Sequence, residues 1–203
     1  MDTVNSKYDT LCNTPSDINE HLPTLYRYAR ECESILETGV RSCISSWALT
    51  KGLLENEKSE KKLFLNDISP CNITSLLDTT KNLPISIEYK WINNLQLDLP
   101  YTVDMTFIDT WHVYGQLKRE LAKFSKVTKK YIAMHDTTVD AIKGETVRMG
   151  MNAQKQSIES GFPLEEINCG LQKAIDEFLA ENTDWTIDVR YINNNGLTIL
   201  RRI

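Results

Sequence analysis

"WTIDVRYINNNGLTILRRI", Trp185 to Ile203, closes the chain with two β-rich runs separated by three asparagines and a glycine. Branched and aromatic residues suit a pleated, half-buried strand, and Asn-Gly suits a tight turn, so the stretch predicts an antiparallel hairpin. Just before it, "LQKAIDEFLAEN" (171–182) repeats apolar residues at helical spacing. The chain therefore ends helix, strand, turn, strand.

Upstream, short apolar runs alternate with amphipathic stretches. "SILET" (34–38), "KKLFLND" (61–67), "ISIEYKWI" (85–92), "VDMTFID" (103–109) and "KYIAMHD" (130–136) read as strands. "SSWALTKGLLEN" (45–56), "ITSLLDTTKN" (73–82) and "VYGQLKRELAKFS" (113–125) read as the helices between them. Nearly continuous apolar strands joined by helices indicate a parallel sheet covered on both faces. The expected fold class is α/β: five strands of a mostly parallel sheet, then a helix and an antiparallel hairpin.

A chain of 203 residues with 41% hydrophobic content forms one sizeable core. Residues 1–17, polar and without periodicity, are expected to be an irregular arm or flap, and 18–203 a single domain. From Asp17, "INEHLPTLYRYARE" (18–31) suggests a helix bent or delayed by Pro23. A net charge of -5 provides no overall attraction to nucleic acid or an anionic membrane and favours small neutral or cationic partners. With no apolar run of about 20 residues and an acidic, polar N-terminus, a cytoplasmic location is expected. Five widely spaced cysteines without a CxxC pair are expected to be reduced thiols. Self-association into a homo-oligomer is compatible with the sequence.

In open α/β sheets, ligands bind beyond the carboxyl ends of the strands, near the point where strand order reverses. Glu37 ends the first strand, Gly39 follows in the turn, and Ser45 opens the next helix. Asp67 ends the second strand, where an acidic side chain can grip a ribose or cap a helix. After the third strand, Asn93 and Asn94 can read an adenine edge or form a turn, while Ile92 or Trp91 can cover its face. A dinucleotide requires a glycine-rich phosphate cradle that "GVRSCIS" lacks. Asp109 ends the fourth strand, with His112 three residues on, and His135 and Asp136 end the fifth. Asp109, His135 and Asp136 are candidate ligands for one divalent cation.

The order of elements and the run "SILETGVRSCISSWAL" resemble class I S-adenosylmethionine-dependent methyltransferases, in the motif form E-x-G-V-x-x-G-x-S-T, and the resemblance implies a doubly wound, mostly parallel seven-stranded sheet with an antiparallel C-terminal strand. Cys43 departs from that form, since the position is often glycine. "FIDTWHVYGQLKREL" followed by "MHDTT" looks like the metal-dependent O-methyltransferases that modify macrolide sugars and the related cephalosporin-hydroxylase-type proteins. The resemblance implies S-adenosylmethionine held by Glu37, Gly39, Ser45, Asp67 and Asn93. It also implies Asp109 and Asp136 as Mg2+ or Mn2+ ligands, and His112 as general base acting on a hydroxyl of a sugar or glycan acceptor. His135 departs from it, because that position is usually glutamate and imidazole suits Mn2+, Fe2+ or Zn2+ better than Mg2+.

The long connection 137–163 is expected to carry acceptor recognition, with Lys143, Glu145 and Arg148 as candidates. The "NNNG" run requires only a hairpin turn. The rival readings are a metal-dependent hydrolase or oxygenase on the same scaffold and a non-catalytic cofactor-binding protein.

Overall fold

The computed structural model describes residues 1–58 and 60–203. Its strands are β1 (Ser34–Thr38), β2 (Lys62–Asp67), β3 (Ser86–Trp91), β4 (Val103–Ile108), β5 (Thr128–His135), β6 (Trp185–Tyr191) and β7 (Leu197–Arg202). Among the described residues they form one sheet in the order β3-β2-β1-β4-β5-β7-β6. The pairings among β1 to β5 are parallel, and β7 runs antiparallel to both β5 and β6. The seven-stranded fold with its antiparallel β7 is as expected, and strand order reverses between β1 and β4.

The helices are α1 (Asp2–Asn13), α2 (Leu22–Ala29), α3 (Ile44–Glu55), α4 (Thr74–Thr80), α5 (Tyr114–Phe124), α6 (Glu145–Arg148), α7 (Ala153–Ser160), α8 (Leu164–Asn168) and α9 (Leu171–Glu181). Because successive strand residues point to opposite faces, Ile35 and Leu36 enter different cores. On one face Ile35, Leu63, Met105 and Phe107 pack with Leu22 and Leu25 of α2 and Leu49 and Leu53 of α3. On the other, Leu36, Ile108, Ile132 and Leu200 pack with Leu117 and Leu121 of α5 and Ile175 of α9. Each buried leucine contributes about 1.5–3 kcal/mol relative to exposure, and both faces of β1 and β4 are held in this way.

One local expectation changes. Residues 2–13 are helical and not an irregular arm: Val4, Tyr8 and Leu11 lie along one helix face, and Val4 and Tyr8 are buried in the core shared with α3. The mean polarity of the segment hid that stripe. Helix α5, Tyr114–Phe124, falls within the 113–125 run expected from sequence. The loop before it is tied elsewhere, because Glu145 N donates to His112 O and Tyr114 N donates to Cys169 O. Pro23 falls in the first turn of α2, behind a single 3-10 turn at Asn19–His21, so it delays the helix without breaking it. No helix among the described residues is long and apolar enough to cross a membrane. The five cysteines are free thiols.

Candidate active site

The β1 turn lies where strand order reverses. Gly39 has φ +90°, and a Cβ on it would stand 1.8 Å from the Asp109 carbonyl oxygen, so the turn crosses directly against the end of β4. Arg41 and Cys43 also adopt left-handed φ, 45° and 61°. Cys43 thus keeps the backbone path that a glycine would take, at a cost of about 1–2 kcal/mol for its Cβ. The loop is held from β2: Asp67 Oδ2 accepts from Val40 N at 2.9 Å and Arg41 N at 3.0 Å, and Oδ1 accepts from Ser69 N at 2.8 Å. The Asp67 carboxylate, expected to grip a ribose, therefore fixes the 40–41 loop instead.

Glu37 is fully buried and accepts from the hydroxyls of Ser45 and of Ser46, the latter at 2.6 Å. Burial pushes its carboxyl up to about 8 against the pull of those hydroxyls. Glu37 and Ser45, both expected at a cofactor, thus meet each other at the start of α3. Ile68, Trp91 and Ile92 leave an exposed apolar surface at the carboxyl ends of β2 and β3, with Trp91 64% exposed. Asn93 caps the next turn by accepting from Leu95 N. Asn94 is buried, with its amide committed to Glu120 and Gln116, which places it in the core and not at a ligand edge.

Asp109, His112, His135 and Asp136 converge in a buried cluster, as their positions at the ends of β4 and β5 predict. His112 Nε2 lies 3.2 Å from Asp109 Oδ1, and its Nδ1 lies 3.2 Å from Asp136 Oδ2. His135 Nδ1 lies 3.4 Å from both Asp109 Oδ1 and Asp136 Oδ2. Burial alone would raise the Asp109 carboxyl, but the His112 and His135 rings prevail and hold it well below the usual range. Burial would lower both rings, yet the carboxylates raise His112 and push His135 up to about 10. The cluster thus demands positive charge, supplied either by ring protons or by a cation.

Sequence reasoning missed Asp140. Its carboxylate is fully buried, takes a bidentate contact from Arg148 at 2.6 and 2.9 Å, and lies 3.5 Å from His112 Nδ1. Its position four residues after Asp136 was the available signal. Glu145, expected to meet an acceptor, instead reaches inward to within 3.6 Å of His112 Nδ1, while Lys143 is exposed. The 137–163 connection is folded into α6 and α7 and strapped to the 167–172 segment through Gly144 N, Gly170 N and Leu171 N.

The "NNNG" run does more than turn a hairpin. Asn194 and Asn195 have φ 44° and 69° and Gly196 φ 97°, and the carbonyl oxygens so turned inward meet two distant histidines. His135 Nε2 donates to Asn194 O at 3.2 Å, and His21 Nε2 donates to Asn193 O and Asn194 O at 3.0 and 3.1 Å. His21 carried no signal in the sequence.

Three atoms in the cluster are buried without a hydrogen-bond partner: His112 Nδ1, His135 Nδ1 and Asp136 Oδ1. Asp109, His112 and Asp136 bring one donor atom each within 4.8 Å of one another. Buried carboxylate oxygens and imidazole nitrogens grouped this closely without hydrogen-bond partners fit a divalent cation, which would take the place of the ring protons.

No protein-family model and no curated protein sequence matches the chain. In three dimensions it is similar to an O-methyltransferase from Bacillus cereus in complex with SAH, with TM-score 0.63 and 13% identity over 100% of this chain and 91% of that one. It is also similar to the N-methyltransferase NodS from Bradyrhizobium japonicum WM9, at TM-score 0.61 and 16% identity over 92% and 96% of the two chains. A third match is the O-methyltransferase TomG from Streptomyces achromogenes in complex with SAM, at TM-score 0.57 and 14% identity over 93% and 81%. At these identities the similarity is one of architecture: the chain has the class I S-adenosylmethionine-dependent methyltransferase fold.

Proposed function

We propose that the chain is an S-adenosylmethionine-dependent O-methyltransferase of the macrolide-sugar type, acting on a hydroxyl of a small acceptor such as a sugar or glycan. The observation that carries this reading is the contact between Gly39 and the Asp109 carbonyl. It sets the cofactor-type loop directly against the Asp109, His112, His135 and Asp136 cluster. Proteins sharing the fold include O- and N-methyltransferases, several bound to SAH or SAM.

Ile68, Trp91 and Ile92 offer an apolar surface for an adenine, and Asp67 fixes the 40–41 backbone by accepting from its two amides. S-adenosylmethionine supplies an electrophilic methyl group, so the chain must chiefly orient the acceptor and take away a proton. Asp109, His135 and Asp136 would hold a divalent cation, which lowers the pKa of an acceptor hydroxyl. His112 is positioned by Asp109 through Nε2; its Nδ1 makes no hydrogen bond and faces the Asp136 carboxylate at 3.2 Å, and with a cation bound to offset the carboxylates it would be the atom that takes the proton. The pair of imidazoles also favours the rival reading, a metal-dependent hydrolase or oxygenase, and cofactor binding separates the two. Isothermal calorimetry with S-adenosylhomocysteine should show one site per chain. Absence of binding at about millimolar ligand, where interactions are worth only about 4 kcal/mol, would sink the methyltransferase reading.

A further inference from the structure

Two observations bear on which cation this is: His135 Nδ1 has no hydrogen-bond partner, and the Asn193–Gly196 turn is anchored at several points. They explain each other. A carbonyl can only accept, so the His135 Nε2 contact with Asn194 O keeps a proton on Nε2 and makes Nδ1 the nitrogen that would offer its lone pair when a cation displaces the other ring proton. That nitrogen is buried, has no hydrogen-bond partner, and lies 3.4 Å from one oxygen of Asp109 and one of Asp136. Donor atoms about 2.1 Å from a shared ion stand about 3.0–3.4 Å apart, depending on whether the geometry is octahedral or tetrahedral. The His135 spacings match that range.

Histidines that ligate metals characteristically donate their other N–H to a carbonyl or carboxylate, which sets the tautomer and aims the ring. Here that carbonyl is made rigid. Thr138 N and Val139 N both donate to Asn195 O, and a Cβ on Gly196 would stand 2.3 Å from Thr138 Oγ1. The Asn194 side chain accepts from Glu20 N and donates to Ser16 O.

We propose that this centre selects a divalent transition ion, of the manganese, iron, cobalt or zinc kind, over magnesium, with His135 Nδ1 as a ligand and the Asn193–Gly196 turn as its positioning device. The inference rests on the cation reading given under Proposed function and deepens it by naming the class of ion. Imidazole nitrogen binds these ions well, whereas magnesium prefers an all-oxygen octahedron. Asn194 is a positioning residue, acting through the ring it orients.

The test is titration of chelator-treated full-length protein with Mn2+, Co2+ or Mg2+ alone, followed by calorimetry, Co2+ absorption and pulsed electron paramagnetic resonance of bound Mn2+. One equivalent of Mn2+ or Co2+ should bind about 100-fold more tightly than Mg2+, with nitrogen hyperfine coupling on the manganese. His135→Gln should lower Mn2+ affinity by about 100-fold and weaken that coupling, and Asn194→Ala should lower affinity by about 10-fold. His135→Asp should narrow the preference over Mg2+, and thermal melts of each variant separate lost binding from lost folding. Equal affinity for Mg2+ and Mn2+, no binding of either, or a wild-type spectrum without nitrogen coupling would overturn the proposal. Calorimetry with S-adenosylhomocysteine on the same samples keeps the two readings apart. Cofactor binding without metal selectivity removes only this inference, and metal selectivity without cofactor binding removes only the methyltransferase reading.

Discussion

Gly39 lies under the Asp109 backbone carbonyl with only enough room for a hydrogen, since a Cβ would come within 1.8 Å of that oxygen. The obstacle is backbone at the end of a central strand, and φ +90° adds its own strain for any other residue. Gly39→Ala should therefore lower stability by about 3 kcal/mol or more, read from urea unfolding, and abolish S-adenosylhomocysteine binding even at temperatures where the variant stays folded.

Glu37 provides a pH signature. Its carboxyl is raised to about 8 by burial, above the usual 4.5, so the folded chain holds a proton that the unfolded chain has released. The stabilisation is full below about pH 4.5 and is lost as pH rises through about 8, at about 1.4 kcal/mol per pH unit in between. Glu37→Gln keeps the shape without the titration. The stability difference between wild type and variant should shift in favour of the variant from about pH 5 to about pH 8 and level off above it. A flat difference would show that Glu37 does not titrate in that window.

Asp67 shapes the 40–41 loop through two backbone amides. Asp67→Ala leaves both donors and the loop without that anchor, at a cost of about 1–3 kcal/mol. The expected outcome is S-adenosylhomocysteine affinity reduced by about 10-fold or more, with the sheet intact by circular dichroism. Unchanged affinity would mean that the loop holds its path without β2.

His112 is assigned the proton transfer, so His112→Ala should reduce turnover on the acceptor by about 100- to 10,000-fold while leaving S-adenosylhomocysteine affinity within about 3-fold. Full turnover in the variant would remove His112 from the chemistry. A matching loss of cofactor affinity would make it a structural member of the cluster.

The strands, their order of appearance and the terminal hairpin were legible in the sequence because periodicity and turn chemistry are local properties. The convergence of Asp109, His112, His135 and Asp136 was legible for a related reason: neighbouring parallel strands that end in polar residues must present them at one edge. Helix α1 was not, since Val4 and Tyr8 make sense only once α3 lies beneath them.

What the sequence by itself determined is the sheet, its switch point and which residue types stand at its carboxyl edge. Only the tertiary structure decided which atoms those residues turn inward. Asp67 is drawn to the amides of residues 40 and 41, and Asn94 to Glu120 and Gln116. His135 is fixed by a carbonyl 59 residues away, on a turn that also holds His21 across the chain. The physical reason is that a buried polar atom must find a partner wherever the fold brings one, and that partner carries no trace in the local pattern.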